Sequence, residues 1–417
     1  MLGVFAVPTS RRRLVTRRVL VAVIVYDGKA FVPRALQSIA RLTTHSRTQD
    51  KSGTQDHSRT QVDVLVLDEA SPDPGWSEEL SALCSTLGIG YYCSPRNLGI
   101  PRNMNLALLR AEAEGYDACV LLNSDVVVPL NLVDSLAAVA DTSTTIASVT
   151  AWANDVSIYS LANSQAADML ASQDRLDAVS ASLAEEFGAT GIELPTGVGF
   201  CLYIPQRAIA DIGLLDPVFG RGYAEEVDWC CRATAAGWHH VLAPSAFVFH
   251  MGSATNSAAG VLQKGMRTVV VNESIVDHRH PDYRYRLAEW AGRDPLAPIR
   301  ARALRRLVSD AARSRGVVVD ATWLYRPAPG GTAVDDRVRV VVAPDGPVAV
   351  AVAHVDGWEL AMTVGPEGVL HTIAGLLGVR AEEIRLLDRG AQAGRLTVEA
   401  VAGGVPVRSL ARYPERV

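Results

Sequence analysis

The sequence is poor in lysine and lacks an excess of positive charge. We infer no site from the lysine shortage, whereas the charge balance bears on the partners that the protein can bind. Lysine occurs only at Lys29, Lys51 and Lys264, so arginine supplies almost all of the basic charge. Lysine and arginine total 40 against 45 acidic residues, which gives a formal net charge of -5. Nucleic-acid-binding proteins usually carry the opposite balance. We therefore expect no nucleic-acid partner.

Paired cysteines and long apolar runs are also missing. The six cysteines form no C-x-x-C pair, and most lie in apolar segments, which indicates reduced, buried thiols and a cytoplasmic protein. The arginines at 11–13 and 17–18 precede an apolar run at 19–26 that is too short to span a bilayer. We interpret this run as a buried strand and expect no transmembrane segment. Peripheral association with the inner face of a membrane stays open.

The chain length predicts two domains. A chain of 417 residues exceeds the size at which single hydrophobic cores usually stop growing. We expect a flexible arm at residues 1–17, a first domain at 18–285, a helical linker at 286–315 and an accessory domain at 316–417.

A polar repeat interrupts the first domain. The residues His-Ser-Arg-Thr-Gln stand at 45–49 and again at 57–61. Because this segment offers no apolar face to bury, we predict a mobile polar insertion at 43–61.

Strands and helices alternate through the first domain. The runs at 19–26, 62–67 and 118–122 are apolar without the alternation of a half-exposed strand, which is typical of strands covered on both faces of a parallel sheet. Helices are expected between them, another at about 225–236, and short strands at 241 and 246–249. This pattern predicts an α/β, Rossmann-like fold whose mostly parallel sheet is flanked by helices.

The accessory domain is predicted to be rich in β-structure. Its β-branched runs at 338–342, 348–352 and 396–401 alternate with Gly-Pro turns, and we predict one helix near 370–377.

Acidic residues follow three of the predicted strands. Asp27, Asp68 and Asp125 should meet at the carboxyl edge of the sheet, where carboxylates can bind a base, a ribose or a cation. Asn123 and Asp125 flank Ser124 and can face the same side of an extended segment. Such oxygen ligands suit Mg²⁺ or Mn²⁺, although an isolated N-x-D sequence is more often a turn at a strand end.

Two further positions can carry chemistry. Glu225, Glu226 and Asp228 follow a glycine-rich loop at the start of a predicted helix, where acids also stabilise the helix dipole by about 0.3–1 kcal/mol each. One of them can instead act as a general base. His250 ends an apolar strand and can join Asp125 on a cation, although a single histidine is more often structural.

Taken in this order, the motifs resemble the family 2 glycosyltransferases, particularly the rhamnosyltransferase-like branch. The resemblance covers residues 18–254 but excludes the repeat and the accessory domain. In the element that resembles the family's D-x-G-S-x-D sequence, Ala70 and Pro72 are departures, and Asn123 replaces the first Asp of its D-x-D element. The matching segments are 21–26, 67–73, 97–99 with Asn105, 121–125, 197–200, 212–219, 224–232 and His250.

The resemblance implies a GT-A fold and an inverting transfer of a sugar from a UDP- or dTDP-sugar to an acceptor hydroxyl. The acceptor would be a carbohydrate, lipid-linked or other hydroxyl compound in cell-surface polysaccharide or glycoconjugate synthesis. A divalent cation, Mn²⁺ or Mg²⁺, would bind Asp125 and His250. Because Asn123 replaces the first Asp of the D-x-D element, an enzyme that depends only weakly on the metal is the alternative. Glu226 would be the general base, with Glu225 as second choice. The donor would contact Tyr26, Asp27, Asp68, Asn97, Asn105, Asn123, Ser124 and Asp125.

Two other functions fit parts of the pattern. A sugar nucleotidyltransferase also uses acids at strand ends, but it usually has a Gly-rich basic loop after its first strand, where this chain has only Asp27-Gly28-Lys29-Ala30. A catalytically inactive nucleotide-sugar-binding or interaction module would share the fold without the reaction.

Overall fold

The structure is a computed structural model that describes most of the chain in two units. The described residues are 15–48, 58–154, 156, 159–161, 172–251, 261–321, 336–345, 348–355, 358–364, 367–387 and 391–409. The first unit is Met1–Ala151 with Ala189–Glu289, and the second is Trp152–Gly188 with Trp290–Val417. The second unit thus contains the segment 152–188, a grouping that the sequence pattern does not predict.

The elements of the two units alternate in type along most of the chain. Up to residue 153 they are β1 (Val15–Val25), α1 (Val32–Thr48), β2 (Ser58–Asp68), α2 (Trp76–Leu87), β3 (Gly90–Cys93), α3 (Ile100–Ala113), β4 (Ala118–Asn123), β5 (Val126–Val127), α4 (Leu132–Ala140) and β6 (Ile146–Ala153). From there to residue 279 they are α5 (Gln173–Phe187), β7 (Ile192–Leu194), β8 (Cys201–Pro205), α6 (Gln206–Ile212), α7 (Glu225–Ala235), β9 (His239–His250) and α8 (Val261–Arg279). The last are α9 (Tyr283–Arg293), α10 (Ala297–Arg315), β10 (Val317–Ala321), β11 (Val338–Asp345), β12 (Val348–Val355), β13 (Trp358–Thr363), α11 (Val369–Leu377), β14 (Glu383–Leu386), α12 (Ala391–Gly403) and β15 (Val407–Ser409).

A nine-stranded sheet forms the centre of the first unit and confirms the predicted fold class. Its order is β3-β2-β1-β4-β8-β6-β9-β5, with β7 paired to β9. Strands β3, β2, β1 and β4 run parallel, whereas β8 is antiparallel to both β4 and β6. The parallel half therefore carries the strand ends at which the sequence places its acids.

Strand β1 is buried on both faces, as its lack of alternation predicts. Leu20, Ala22 and Ile24 belong to one core cluster with residues of α3 and β4. Val21 and Val23, which point to the opposite face, are also 0% exposed. This two-sided burial explains why the run is apolar throughout.

Several segments differ from the predictions. The repeat is not a separate insertion at its ends, because residues 43–48 continue α1 and residues 58–61 begin β2; residues 49–57 lie outside the described part of the chain. The two strands expected at 241 and 246–249 are one strand, β9. The expected strand at 396–401 is part of α12, so tertiary contacts override the strand preference of its β-branched residues.

The second unit is built on a six-stranded sheet. Its order is β13-β12-β11-β10-β14-β15, and β11, β10, β14 and β15 run parallel. The predicted helix at 370–377 is present as α11. Helix α10 lies in the expected helical linker, and it buries Leu307 and Val308 within this unit. The accessory region is therefore mixed α/β.

A buried carboxylate joins three strands of this second sheet. Asp320 on β10 is 1% exposed and accepts hydrogen bonds from Arg339 on β11 and from Arg385 on β14, where the Nε–Oδ1 distance is 2.5 Å. Its pairing with two guanidinium groups offsets the cost of burying the charge.

Among the described helices, none is both long enough and apolar enough to cross a lipid bilayer.

We predict that Asp320→Ala lowers the free energy of unfolding by about 3–5 kcal/mol, because two partly buried guanidinium groups lose their partner. Urea unfolding followed by circular dichroism would measure this change. Glu359→Ala is the matched control, since Glu359 pairs with His354 at 3.2 Å but its side chain is 66% exposed. The control should lose less than about 1 kcal/mol; equal losses in both variants would contradict a special role of the buried pair.

Candidate functional site

The ends of three parallel strands meet in register at one edge of the first sheet. Val25 of β1 pairs with Asp68 of β2, and Ile24 of β1 pairs with Asn123 of β4. Tyr26 and Asp27 follow β1 directly, and both are partly buried. The backbone therefore brings the predicted strand-end residues together at this edge.

Ser71 connects the loops after β1 and β2. The backbone N–H of Asp27 donates to Ser71 Oγ at 2.8 Å, and this hydroxyl donates to Asp68 Oδ1 at 2.7 Å. The side chain of Asp27 turns back on its own loop, where Oδ1 accepts from the N–H of Gly28 at 2.8 Å. The two loops thus form one hydrogen-bonded surface.

The carboxylate of Asp68 is fully buried and satisfied by donors. It accepts from the N–H of Ser71 at 3.0 Å, from Ser77 Oγ at 2.6 Å and from Tyr91 Oη at 3.0 Å, besides the hydroxyl of Ser71. Asp68 is 0% exposed. In this geometry it fixes the loop that follows β2.

Asn97 and Asn105 both use their side chains on nearby backbone. Asn97 Oδ1 accepts from the N–H of Gly99 at 3.0 Å and closes a turn before α3. Asn105 is buried, and its amide exchanges two hydrogen bonds with the backbone of Leu215 at 2.8 and 3.0 Å. Asn105 therefore connects α3 to the segment that precedes α7.

The turn at Gly99 packs directly on the glycine-rich loop before α7. Gly99 has φ of 85°, and a Cβ atom there would lie 1.9 Å from the carbonyl oxygen of Gly220. A Cβ atom at Gly222 would lie 2.8 Å from Ile100. Only glycine permits this approach of the two backbones.

Asp125 and His250 form the pair that the sequence predicts. Asp125 Oδ1 lies 3.3 Å from His250 Nε2, and both side chains are largely buried. Their backbones are joined as well, since the N–H of Met251 donates to the carbonyl of Asp125 at 2.8 Å. Ser124 is buried beside them. Within the described residues, there is no group of three or more His, Cys, Asp or Glu side chains that could hold a metal ion.

Glu225 and Glu226 begin α7, and both have a buried carboxyl oxygen, Oε2, without a hydrogen-bond partner in the described part of the chain. Burial and the neighbouring charge of Glu226 raise the pKa of Glu225 well above its usual value. Burial also raises the pKa of Glu226, against the opposing effect of hydrogen bonds from its own N–H and from that of Gly199. The first turn of α7 thus holds two acids whose protonation is favoured.

Glu69 is a third acid near this pair, and the sequence reasoning gave it no role. It is 3% exposed, burial raises its pKa, and its charge raises the pKa of Glu225. Asn103 Nδ2 donates to Glu69 Oε1 at 2.7 Å, and Asn103 Oδ1 accepts from Ser94 Oγ at 2.9 Å. The sequence feature that could have indicated a role for Glu69 is its position next to Asp68, at the end of β2.

The segment Gly199–Phe200 connects the acid pair with the Asp125–His250 pair. A Cβ atom at Gly199 would lie 3.6 Å from Glu226 Oε1, so the carboxylate packs against this glycine. The ring of Phe200 lies 5.5 Å from that of His250, and its carbonyl accepts from the N–H of Asn123 at 3.0 Å. Residues that are far apart in sequence thus converge around two adjacent residues.

Asp228 belongs to a different hydrogen-bonded group. Burial opposes its ionisation, but hydrogen bonds from His280, Arg232 and Arg279 outweigh this effect and lower the pKa of its carboxyl. The bonds from His280 Nε2 and Arg232 Nε measure 3.0 and 3.1 Å. Together with Asp216, these residues line a cavity of about 480 Å³.

Backbone strain concentrates in the loops of this site. Asp27, Ala70, Tyr223 and Ala224 have φ between 54° and 76°, and Asp294 is the remaining non-glycine residue with positive φ in the described chain. Ala70 has this left-handed φ at the position that corresponds to the glycine of the D-x-G-S-x-D element it resembles. Such strain costs about 1–3 kcal/mol per residue and persists only where surrounding contacts impose it.

Comparisons with solved structures find similar chains at low sequence identity. GalNAc-T7 with UDP, GalNAc and Mn²⁺ matches with a TM-score of 0.40 and 12% identity over 58% of this chain, and the match spans only 44% of that chain. The mannosyltransferase PcManGT from Pyrobaculum calidifontis, in complex with GDP-Man and Mn²⁺, gives 0.42 and 17%, covering 72% and 75% of the two chains. S. aureus TarS 1-349 gives 0.39 and 14%, covering 70% and 80%. No protein-family model and no curated protein matches the sequence.

We predict that Gly99→Ala destabilises the protein by about 3 kcal/mol, because a Cβ atom would overlap the backbone of Gly220 and left-handed φ is strained for alanine. Gly115→Ala is the matched control, since Gly115 has φ of 69° and a Cβ atom there would meet nothing within 4 Å. The control should lose only about 1–2 kcal/mol. Similar unfolding free energies for the two variants would contradict the close approach.

We also predict that Glu225→Gln stabilises the protein in a pH-dependent way. A carboxyl whose pKa is raised on folding stabilises the native state only while it is protonated, so this stability is lost as pH rises through the folded pKa. The Tm difference between Glu225→Gln and wild type should therefore grow as the pH rises above about 4.5, the usual carboxyl pKa. Glu112→Gln, an exposed helical substitution, should show no such growth. A constant difference for Glu225→Gln would contradict the raised pKa.

Proposed function

We propose that the protein is a glycosyltransferase that moves a sugar from a nucleotide diphosphate donor to an acceptor hydroxyl. The observation that carries the proposal is the convergence at Gly199–Phe200. There, the carboxylate of Glu226 contacts Gly199, while Phe200 contacts His250 of the Asp125–His250 pair. A candidate base and a candidate cation site thus both contact one short segment, beside the strand ends where α/β sheets bind nucleotides.

The Asp125–His250 pair fits a divalent cation. The donor atoms are 3.3 Å apart, and adjacent ligands of an octahedral ion with bonds of about 2.1 Å are separated by about 3 Å. Carboxylate oxygen and imidazole nitrogen suit Mn²⁺, and phosphate oxygens and water can complete the shell around Mn²⁺ or Mg²⁺. When bound, such a cation neutralises negative charge on the diphosphate leaving group.

Glu226 is the proposed general base. Its raised pKa favours proton uptake, and the N–H of Gly199 holds one oxygen while Oε2 has no donor in the described chain. Glu226 would accept the proton of the acceptor hydroxyl as that oxygen bonds to the anomeric carbon and the bond from this carbon to the diphosphate breaks. This single displacement inverts the anomeric configuration. Glu225 is the second candidate, and its pKa is raised as well.

The strand-end loops supply the proposed donor surface. Tyr26, Asp27, Asn123 and Ser124 would contact the donor directly. The three residues Asp68, Asn97 and Asn105 would act by fixing the loops around it, because their polar atoms hydrogen-bond with the protein.

The finer assignment follows the sequence motifs. We propose a family 2 enzyme of the rhamnosyltransferase-like branch that transfers a hexosyl group from a UDP- or dTDP-sugar in cell-surface polysaccharide or glycoconjugate synthesis. The acceptor would be a carbohydrate or lipid-linked hydroxyl compound. A cytoplasmic location at the inner face of the membrane would agree with such an acceptor.

We predict that Asp125→Ala and Glu226→Gln each lower the rate of sugar transfer at least about 100-fold, because one loses a ligand of the cation and the other the base. A panel of UDP-, dTDP- and GDP-sugars with Mn²⁺, assayed for release of nucleoside diphosphate, would identify the donor and measure the rates. Glu112→Gln should keep wild-type turnover.

A thermal-shift assay separates the two roles. The stabilisation by donor and Mn²⁺ should vanish in Asp125→Ala and persist in Glu226→Gln, because only the first variant loses binding. Near-normal turnover in either variant would reject its assigned role. Saturable donor binding without release of nucleoside diphosphate from wild type would reject the enzyme and leave a binding module.

A further inference from the structure

Asn272 on α8 reaches the glycine-rich loop that precedes the acid pair. It is 4% exposed, and its Nδ2 lies 2.9 Å from the carbonyl oxygen of Phe219, 2.7 Å from that of Gly222 and 3.0 Å from that of Tyr223. One amide group thus faces three backbone acceptors within five residues of chain. These carbonyls precede α7, and that of Phe219 also accepts from the N–H of Gly222 at 3.1 Å.

Helix α8 lies along this segment with one face. Asn272, Val276 and Arg279 are four and three residues apart, which places them on the same side of the helix. Val276 is buried, and Arg279 Nη1 donates to Asp216 at 2.9 Å and to Asp228 at 3.2 Å. Asn272 therefore contacts the loop before the acid pair. Arg279 contacts Asp216, which precedes this loop in the chain, and Asp228, which follows the acid pair.

The loop needs such support because its backbone is strained. Tyr223 and Ala224 have consecutive φ values of 76° and 69°, although left-handed φ is a clear outlier for a bulky residue such as tyrosine. Ala224 is the N-cap of α7, but its side chain makes no cap hydrogen bond. Glu225 and Glu226 follow at once, so the direction of this turn sets where their carboxylates lie.

We propose that Asn272 is a positioning residue that holds the 219–224 loop in its strained conformation and thereby places Glu226 for catalysis. Its amide lies within hydrogen-bond distance of three loop carbonyls, and Gly99 packs against Gly220 of the same loop. Without the amide, the turn relaxes and the carboxylate of Glu226 moves away from Gly199. The catalytic part of this inference rests on the proposed glycosyltransferase function, whereas the effect on the loop does not.

Limited trypsin digestion of the full chain tests the effect on the loop. Arg221 is exposed within the loop, so cleavage after Arg221 reports how often the loop opens. In Asn272→Ala we expect this cleavage to be at least tenfold faster while circular dichroism shows an intact fold. Asn272→Leu, which keeps the side-chain volume but has no donor, should behave in the same way. Ser274→Ala is the matched control on the same helix, since Ser274 is exposed and donates only to the carbonyl of Val271.

Steady-state kinetics test the positioning role. With the donor found above, kcat should fall at least tenfold in both Asn272 variants, while KM for the donor stays within twofold because the strand-end loops are untouched. Unchanged cleavage at Arg221, or loss of the whole fold in both variants, would overturn the inference. So would a fall in kcat that Ser274→Ala shares. If Glu226→Gln keeps full turnover, the glycosyltransferase proposal fails, but the cleavage rates still decide whether Asn272 holds the loop.

Discussion

The burial of the two adjacent carboxyl groups of Glu225 and Glu226 is the constraint on which the rest of the site depends. Removing ionised carboxyls from water is costly, and each has an oxygen without a donor in the described part of the chain. Glu69 adds a third buried acid nearby. Folding therefore raises the proton affinity of both carboxylates, which is the property that the proposed general base requires. The free energy that this arrangement requires must come from contacts elsewhere in the first unit.

Those contacts are made by two segments of the chain, one before the loop in sequence and one after it. On one side, Gly99 brings the turn before α3 against the backbone of Gly220, an approach that a side chain at Gly99 would prevent. On the other side, the amide of Asn272 bonds to carbonyls of the same loop. The left-handed residues Tyr223 and Ala224 belong to the loop that these contacts hold. The loop is thus determined by tertiary contacts more than by its own conformational preferences.

The sheet provides the second fixed reference of the site. Register pairing sets Val25 level with Asp68 and Ile24 level with Asn123, so the loops after β1, β2 and β4 begin at the same edge. Asp68 is buried and receives hydrogen bonds from three residues of its surroundings, which fixes the loop after β2. Strand β9 then delivers His250 beside Asp125. Rigid strands therefore position the polar groups, and the loops adapt around them.

The sequence by itself determined the parallel half of the first sheet and the acids at its strand ends, because strands covered on both faces are recognisable as continuous apolar runs and their carboxyl ends share an edge. It also located the start of α7 from its glycines and acids. It was wrong about residues 396–401, where a helix replaces the predicted strand, and about β9, predicted as two strands. Only the tertiary structure decided that Asp68 is fully engaged, that Glu69 joins the acid pair, and that Asn272 reaches the loop 50 residues before it. The contacts of Glu69 with the acid pair and of Asn272 with the loop join residues far apart in the chain, and local periodicity and turn propensity carry no information about them.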